Sequence, residues 1–252
     1  MVGLIYKEMI LQKRSLILLG GAFALLLAIL FFPAASGYLN TISETMEMPA
    51  DALLVLWELG IFIILFLIMG IYQPTIFEVD ENKKWAGFIT ASPLRGNGQI
   101  AAKYWFTLLL SLVLFEVCRL FASISVVVYG MSINLNAFFL LLFYLQLLLR
   151  AFEYPFLVRF GSKSGGTYKG ILFLIVVMIV IIYLLFGDLS AFGSLNDMTD
   201  WLFQCLMMED TISSEGLMIA QAILPYGSAI LYYLSYRISC KFYQMGVETY
   251  EK

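Results

Sequence analysis

The chain has 252 residues, 62% of them hydrophobic and 13% charged, and its mean hydropathy is +0.89. Soluble domains carry about 25% charged residues, so an ordinary water-soluble fold is excluded. Histidine is absent, which removes Ser-His and Cys-His nucleophilic centres and most zinc sites, and the net charge of −3 is no footprint for nucleic acid.

In chain order, six apolar runs approach or exceed the roughly 18–20 residues that cross a hydrocarbon core as helix: Ser15–Phe32, Ala52–Tyr72, Tyr104–Tyr129, Leu135–Phe156, Gly170–Gly187 and Leu217–Tyr236. Alternating ten-residue strands are lacking, and only helices or closed barrels satisfy their backbone in lipid. The expectation is an all-α membrane protein, a single transmembrane domain over residues 1–252 with six transmembrane helices. Short amphipathic helices are expected at the N-terminus, in the first inner loop and in the last outer loop.

The first run, with its basic approach and the following Pro33-Ala34-Ala35-Ser36, mimics a signal peptide. It is too long for an h-region, however, and fourteen residues precede it. It is therefore expected to remain as a membrane helix. The second run carries Glu58 on its outer side, where it either snorkels to the surface, the expectation here, or caps a cavity. Beyond Pro74, which cannot continue a helix without losing a hydrogen bond, the chain reads Glu78-Val79-Asp80-Glu81-Asn82-Lys83-Lys84-Trp85, then Phe88 and Ile89. Trp85, Phe88 and Ile89 fall at i, i+3, i+4, an apolar stripe on an otherwise polar helix that Pro93 helps to stop. Such a helix either lies on the membrane surface or docks in a partner's groove.

The third run places Glu116 and Arg119 at i, i+3 near its middle, where they share a face. Charges at a helix centre cost roughly 2.5–3.5 kcal/mol each on insertion scales, so two readings stand: a structural ion pair inside the bundle, or a polar spot on a translocation path. Arg150 and Glu153 repeat the spacing near the inner end of the fourth run, where an interfacial pair is expected. Gly161-Ser162-Lys163-Ser164 echoes a phosphate loop but lacks its Gly-Lys pair and its strand, and reads as a turn between helices. After the fifth run, Met198, Trp201, Leu202, Cys205 and Leu206 fall at i, i+3, i+4, i+7, i+8, with Asn196 or Asp197 available as N-cap. This amphipathic helix either rests in the outer interface or forms a lid, with Trp201, Leu202 and Cys205 on its apolar face. Cys118, Cys205 and Cys240 are too scattered for a disulfide framework or a metal cluster.

Basic residues resist translocation. None of the fifteen Lys and Arg residues falls in Pro33–Asp51, Gly130–Asn134 or Asp188–Gly216, so these segments read as outer and both termini as cytoplasmic.

The order acidic cluster, Lys83-Lys84-Trp85, Phe88-Ile89, Ser92-Pro93-Leu94-Arg95, then Gln99-Ile100 and Lys103-Tyr104 resembles the first cytoplasmic loop of type-2 ABC exporter permeases. It is most similar to the small six-helix permeases of the phenol-soluble modulin exporter family. The N-terminal Tyr6-Lys7-Glu8-Met9 with Gln12-Lys13-Arg14 is similar to that family's start. Ser235-Tyr236-Arg237 with Gly246-Val247-Glu248 is similar to its end. The resemblance implies a coupling helix, with Glu78, Asp80, Glu81, Lys83, Lys84, Trp85, Phe88, Ile89 and Pro93 gripped by a separate ATPase subunit. It further implies that this chain is not an enzyme and carries no cofactor, ATP and Mg²⁺ being bound by the partner. A second permease copy or paralogue, export of amphipathic or hydrophobic peptides with lipids or drugs as alternative cargo, contact with membrane lipid, and a bacterial plasma membrane complete what it implies. An ion-coupled carrier, or an immunity protein that merely sequesters peptides, would use the same surface. The halves show no inverted repeat of the kind secondary carriers commonly have.

The charge asymmetry makes the topology testable. A cysteine placed at Asn82 is expected to resist an impermeant thiol reagent applied to intact cells; labelling from outside would reverse the orientation.

Overall fold

The computed structural model describes residues 2–32, 50–78, 95–129, 135–186 and 215–250. Every element among them is a helix: α1 (Val2–Leu11), α2 (Lys13–Leu30), α3 (Ala50–Tyr72), α4 (Thr75–Glu78), α5 (Arg95–Tyr129), α6 (Asn136–Phe186) and α7 (Glu215–Tyr250). Among the described residues, four helical stretches are long and apolar enough to cross a membrane: Lys13–Leu30, Leu53–Glu78, Asn97–Val128 and Phe138–Gly161. The all-helical class is as expected. The fifth and sixth expected spans lie on the later part of α6 and on α7, which are helical but are not among those four.

Two boundaries differ from the sequence reading for one reason. Helix α5 starts at Arg95 rather than Tyr104, and α7 continues to Tyr250, past Tyr236. Hydropathy marks only the length immersed in lipid, whereas a helix satisfies its own backbone and continues into water as readily. Between the fourth and fifth runs the sequence predicts a turn, and Asn136–Phe186 is two helices meeting at a single non-helical residue, Gly161 (φ 77°, ψ 172°). That φ lies in the left-handed region, which glycine enters without a Cβ penalty.

The core divides into two halves along the bundle. In one, Leu30, Phe62, Leu65, Met69, Leu114, Cys118 and Phe139 pack together, with Phe62 edge-on to Phe139 at 4.8 Å between ring centres. The other half lies at the end from which residues 79–94 depart. It gathers Ile76, Phe77, Ile100, Tyr104, Tyr154, Leu157 and Tyr232. Helix α7 runs along α6, and α1 packs on α5.

Polar side chains stitch this loop end together. The Tyr72 hydroxyl donates to Gln12 Oε1 (2.8 Å), joining α3 to the α1–α2 junction, and Gln73 Nε2 donates to Ser111 Oγ on α5 (2.7 Å). The Tyr104 hydroxyl pairs with Ser235 (2.7 Å) and Ser239 (2.8 Å) on α7, while the Tyr232 hydroxyl donates back to the Tyr104 carbonyl (2.8 Å). In lipid no water is present to take the place of these partners, so each one fixes where a helix sits relative to its neighbour.

Candidate functional site at the root of the 79–94 loop

The site begins with a proline. Helix α3 keeps its ladder as far as Gln73, whose N–H donates to the Met69 carbonyl (3.0 Å). The next donor would be residue 74, bonding the carbonyl four residues back at Gly70, but Pro74 has no N–H. The chain recovers at once: the Thr75 hydroxyl donates to the Tyr72 carbonyl (2.7 Å), and the Phe77 N–H donates to the Pro74 carbonyl (3.0 Å). These bonds form the single turn α4. The Gly70 carbonyl is left facing outward from its own helix, at a depth where an unpaired backbone acceptor costs free energy.

Arg150 of α6 takes that carbonyl: its Nη2 donates to Gly70 O at 2.6 Å. Glycine at residue 70 leaves this approach open, since a Cβ there would lie 3.3 Å from the same Nη2 and push the guanidinium back by a few tenths of an ångström. The other terminal nitrogen, Nη1, is paired with Glu153 Oε2. Side chains 150 and 153 are 6% and 3% exposed, so the charge is balanced in the interior by its neighbour one turn on.

A second cation closes the same end. Lys103 of α5 donates to the carbonyl of Ile76 in α4, and its ammonium stands 5.0 Å from the centre of the Phe77 ring. Phe77 in turn lies 4.5 Å from Tyr154, centre to centre, whose hydroxyl donates to Thr107 Oγ1 (3.0 Å). Two cations from two different helices therefore hold the C-terminal end of the α3–α4 unit, where carbonyls lack helical donors and the helix dipole favours positive charge. What this arrangement can do is mechanical. These contacts tie the α3–α4 unit to both α5 and α6.

Of the residues singled out in the sequence, Glu78 lies at the exposed end of α4. Asp80, Glu81, Lys83, Lys84, Trp85, Phe88, Ile89 and Pro93 fall outside the described residues, as do Trp201, Leu202 and Cys205. Glu116 and Arg119 do pair, Oε2 to Nη2 at 3.0 Å, but their side chains are 43% and 51% exposed. The pair is on the outside of this chain's helices and not in their interior.

The buried pair is Arg150 and Glu153, for which the sequence suggested an interfacial place. Glu58 also differs: in place of snorkelling it is buried, with the Ser125 hydroxyl beside its carboxyl. Snorkelling needs the long aliphatic stems of Lys or Arg, and glutamate has too short a reach. Arg150, Gly70 and Lys103 had one sequence signal, a proline four residues beyond a glycine near the end of an apolar run.

The family model described as ABC-2 family transporter protein matches residues 3–244. No curated protein and no solved structure matches the chain.

The Arg150–Glu153 pair makes a stability prediction. Arg150→Met or Glu153→Leu alone leaves a buried charge uncompensated and should cost about 3–5 kcal/mol. The double variant should lose less than either single one. Denaturant unfolding of the purified chain in detergent measures all three; losses that simply add would place the two charges in separate environments.

Proposed function

This chain belongs to the ABC-2 family of transporter proteins, a family of multi-pass membrane proteins, and from that premise we propose that it is the permease subunit of an ATP-driven ABC exporter. The observation that carries the reading is the family match across residues 3–244, essentially the whole chain. Residues 78–93 then serve as the coupling helix seated in a separate ATPase subunit, which binds ATP and Mg²⁺. The permease itself is non-catalytic. Both termini and the loop face the cytosol of a bacterial cell.

The loop root supports this assignment physically. A coupling segment has to pass displacement to the helices that line a path, and a slack tether would dissipate it. Here the strand of chain leaving α4 is tied to α5 by Lys103, to α6 by Arg150 and the Phe77–Tyr154 contact, and through Tyr104 to Ser235 and Ser239 of α7.

A second permease, identical or paralogous, completes the assembly. The half-exposed Glu116–Arg119 pair supports one, because charges facing hydrocarbon are costly and a facing protein surface relieves that cost. Under a two-fold axis such a face is self-complementary, Glu116 of each copy meeting Arg119 of the other. Amphipathic or hydrophobic peptides are the proposed cargo, with the amphipathic segment around Trp201, Leu202 and Cys205 as an outer lid. One observation favours a second reading, an ion-coupled carrier: Glu58 is a buried carboxylate within a span, the kind of group that proton relays use. The family match weighs against it, since an ion-coupled carrier has no need of an ATPase.

Assembly with the ATPase tests the proposal. The purified chain alone is expected to hydrolyse no ATP and to co-purify with an ATP-binding subunit. Aromatic anchors carry more interface energy than rim charges, so Trp85→Ala should weaken that assembly at least ten-fold more than Lys83→Ala. Equal and negligible effects would place the interface elsewhere.

A further inference from the structure

We propose that the groove between α5 and α7 seats an anionic phospholipid, with its phosphate headgroup on Arg237 and Lys241 and the upper part of one acyl chain against Trp105 and Tyr233. The site goes beyond the export reading, because it depends on how two helices of this chain pack and on no other subunit.

The two helices run antiparallel at the loop end. Gln244 Nε2 donates to Asn97 Oδ1 (3.1 Å), and the Tyr104 hydroxyl pairs with Ser235 and Ser239, so Asn97 lies beside Gln244 and Tyr104 beside the turn from Ser235 to Ser239. The stretch of α5 from Val128 back to Trp105 is about 35 Å long at the helical rise, and the hydrocarbon core is about 30 Å thick. With Val128 at one edge of that core, Trp105 stands at the loop-end interface, the level where Trp and Tyr collect in membrane proteins. Tyr233 and Tyr236 of α7 share that level. Arg237 and Lys241 follow on the side away from the hydrocarbon, in the headgroup layer.

Two cavities follow this groove, and Tyr236 borders both. The one on the hydrocarbon side, about 380 Å³, has Tyr104, Leu108 and Tyr232 in its lining together with Trp105 and Tyr233. The last two are exposed, so the cavity opens sideways to lipid chains. The one beyond it, about 430 Å³, is bordered by Asn97, Arg237, Lys241 and Gln244. Each volume falls inside the roughly 300–1,000 Å³ range of small-ligand sites. They take a headgroup and part of one chain, and the rest of the lipid stays in the bilayer. Charge selects the head. No carboxylate lines the outer cavity, and among the described residues neither Arg237 nor Lys241 has an acidic partner. Both side chains are exposed, and at i, i+4 they share one face of α7 and can meet one phosphate. Two unbalanced cations favour a head of net negative charge over a zwitterionic one, whose ammonium would sit beside them. Basic residues gather at this end throughout the chain, as membrane topology requires; what sets these two apart is the apolar groove that continues from them, the arrangement of basic pockets between helices that hold anionic heads.

Bromine on an acyl chain quenches a nearby indole, so Trp105 reports occupancy of the groove. The full-length chain is reconstituted in phosphatidylcholine vesicles carrying a minor fraction of brominated phosphatidylglycerol or of brominated phosphatidylcholine. Subtracting Trp105→Phe isolates this indole from the other tryptophans. Brominated phosphatidylglycerol is expected to quench Trp105 more strongly than brominated phosphatidylcholine at equal fraction. Arg237→Gln and Lys241→Gln should each lower the relative affinity for phosphatidylglycerol about five-fold, the attraction of one basic side chain to an anionic surface, and the double variant should erase the preference. Quenching by brominated phosphatidylcholine should stay the same in all of them, which shows that the groove is still formed. Lys13→Gln, at an exposed basic residue outside the groove, should leave the preference unchanged, and so should added inorganic phosphate at constant ionic strength. The proposal is overturned if wild type shows no preference for phosphatidylglycerol, if the double variant keeps it, if Lys13→Gln removes as much of it as Lys241→Gln does, or if inorganic phosphate abolishes it, which would make the site one for a free anion.

Discussion

The guanidinium of Arg150 on the carbonyl of Gly70 is the contact that the loop end of this protein depends on. It answers a problem that Pro74 creates. A proline in a membrane helix removes one donor and leaves one acceptor four residues earlier with nothing to accept from. In water the orphan would be solvated. At membrane depth it has to be met by another part of the protein, and it is met by a cation from α6 reaching over a residue with no side chain. Proline, glycine, arginine and the balancing Glu153 form one unit, and altering any of them changes what the other three need.

From that unit the rest of the loop end follows. Because the break at Pro74 is stabilised rather than left loose, α4 turns off α3 in a fixed direction and buries Ile76 and Phe77 among Tyr104, Tyr154 and Leu157. Lys103 then secures the Ile76 carbonyl in the last turn before the chain leaves the described helices. The tyrosines extend the same logic sideways. Their rings fill the space between α5, α6 and α7, and their hydroxyls find Thr107, Ser235, Ser239 and a backbone carbonyl. Buried polar groups of this kind specify a unique helix arrangement when every member is satisfied. For a transporter subunit, such a root would convert pressure on a short loop into movement of helices.

Much of this was readable in the sequence and some was not, for identifiable reasons. Apolar runs placed the membrane helices because lipid imposes both length and composition; polar helical extensions at Arg95 and Tyr250 carry no such signature. The two Glu/Arg pairs at i, i+3 look alike locally. Which one is buried depends on what faces it, and for Arg150 that is a carbonyl 80 residues earlier in the chain. Depth in the apolar run suggested Glu116 and Arg119 as the interior pair, yet their face of α5 points away from this chain's other helices. The stripe at Trp85, Phe88 and Ile89 and the outer segment at Trp201 lie outside the described residues, so their roles rest on sequence pattern and family.

The central claim, that Arg150 stands in for the donor Pro74 lacks, is tested most directly by introducing Pro74→Ala in two backgrounds. One is wild type; the other is Arg150→Met with Glu153→Leu, where the Gly70 carbonyl has lost its cation without a buried charge being left behind. Alanine restores an N–H at position 74, and its general effect on helix stability cancels between the backgrounds. Unfolding free energies in detergent should show Pro74→Ala helping the double-variant background by about 1–2 kcal/mol more than wild type, the worth of one buried hydrogen bond. An equal effect in both backgrounds would mean that the proline and the arginine are unconnected.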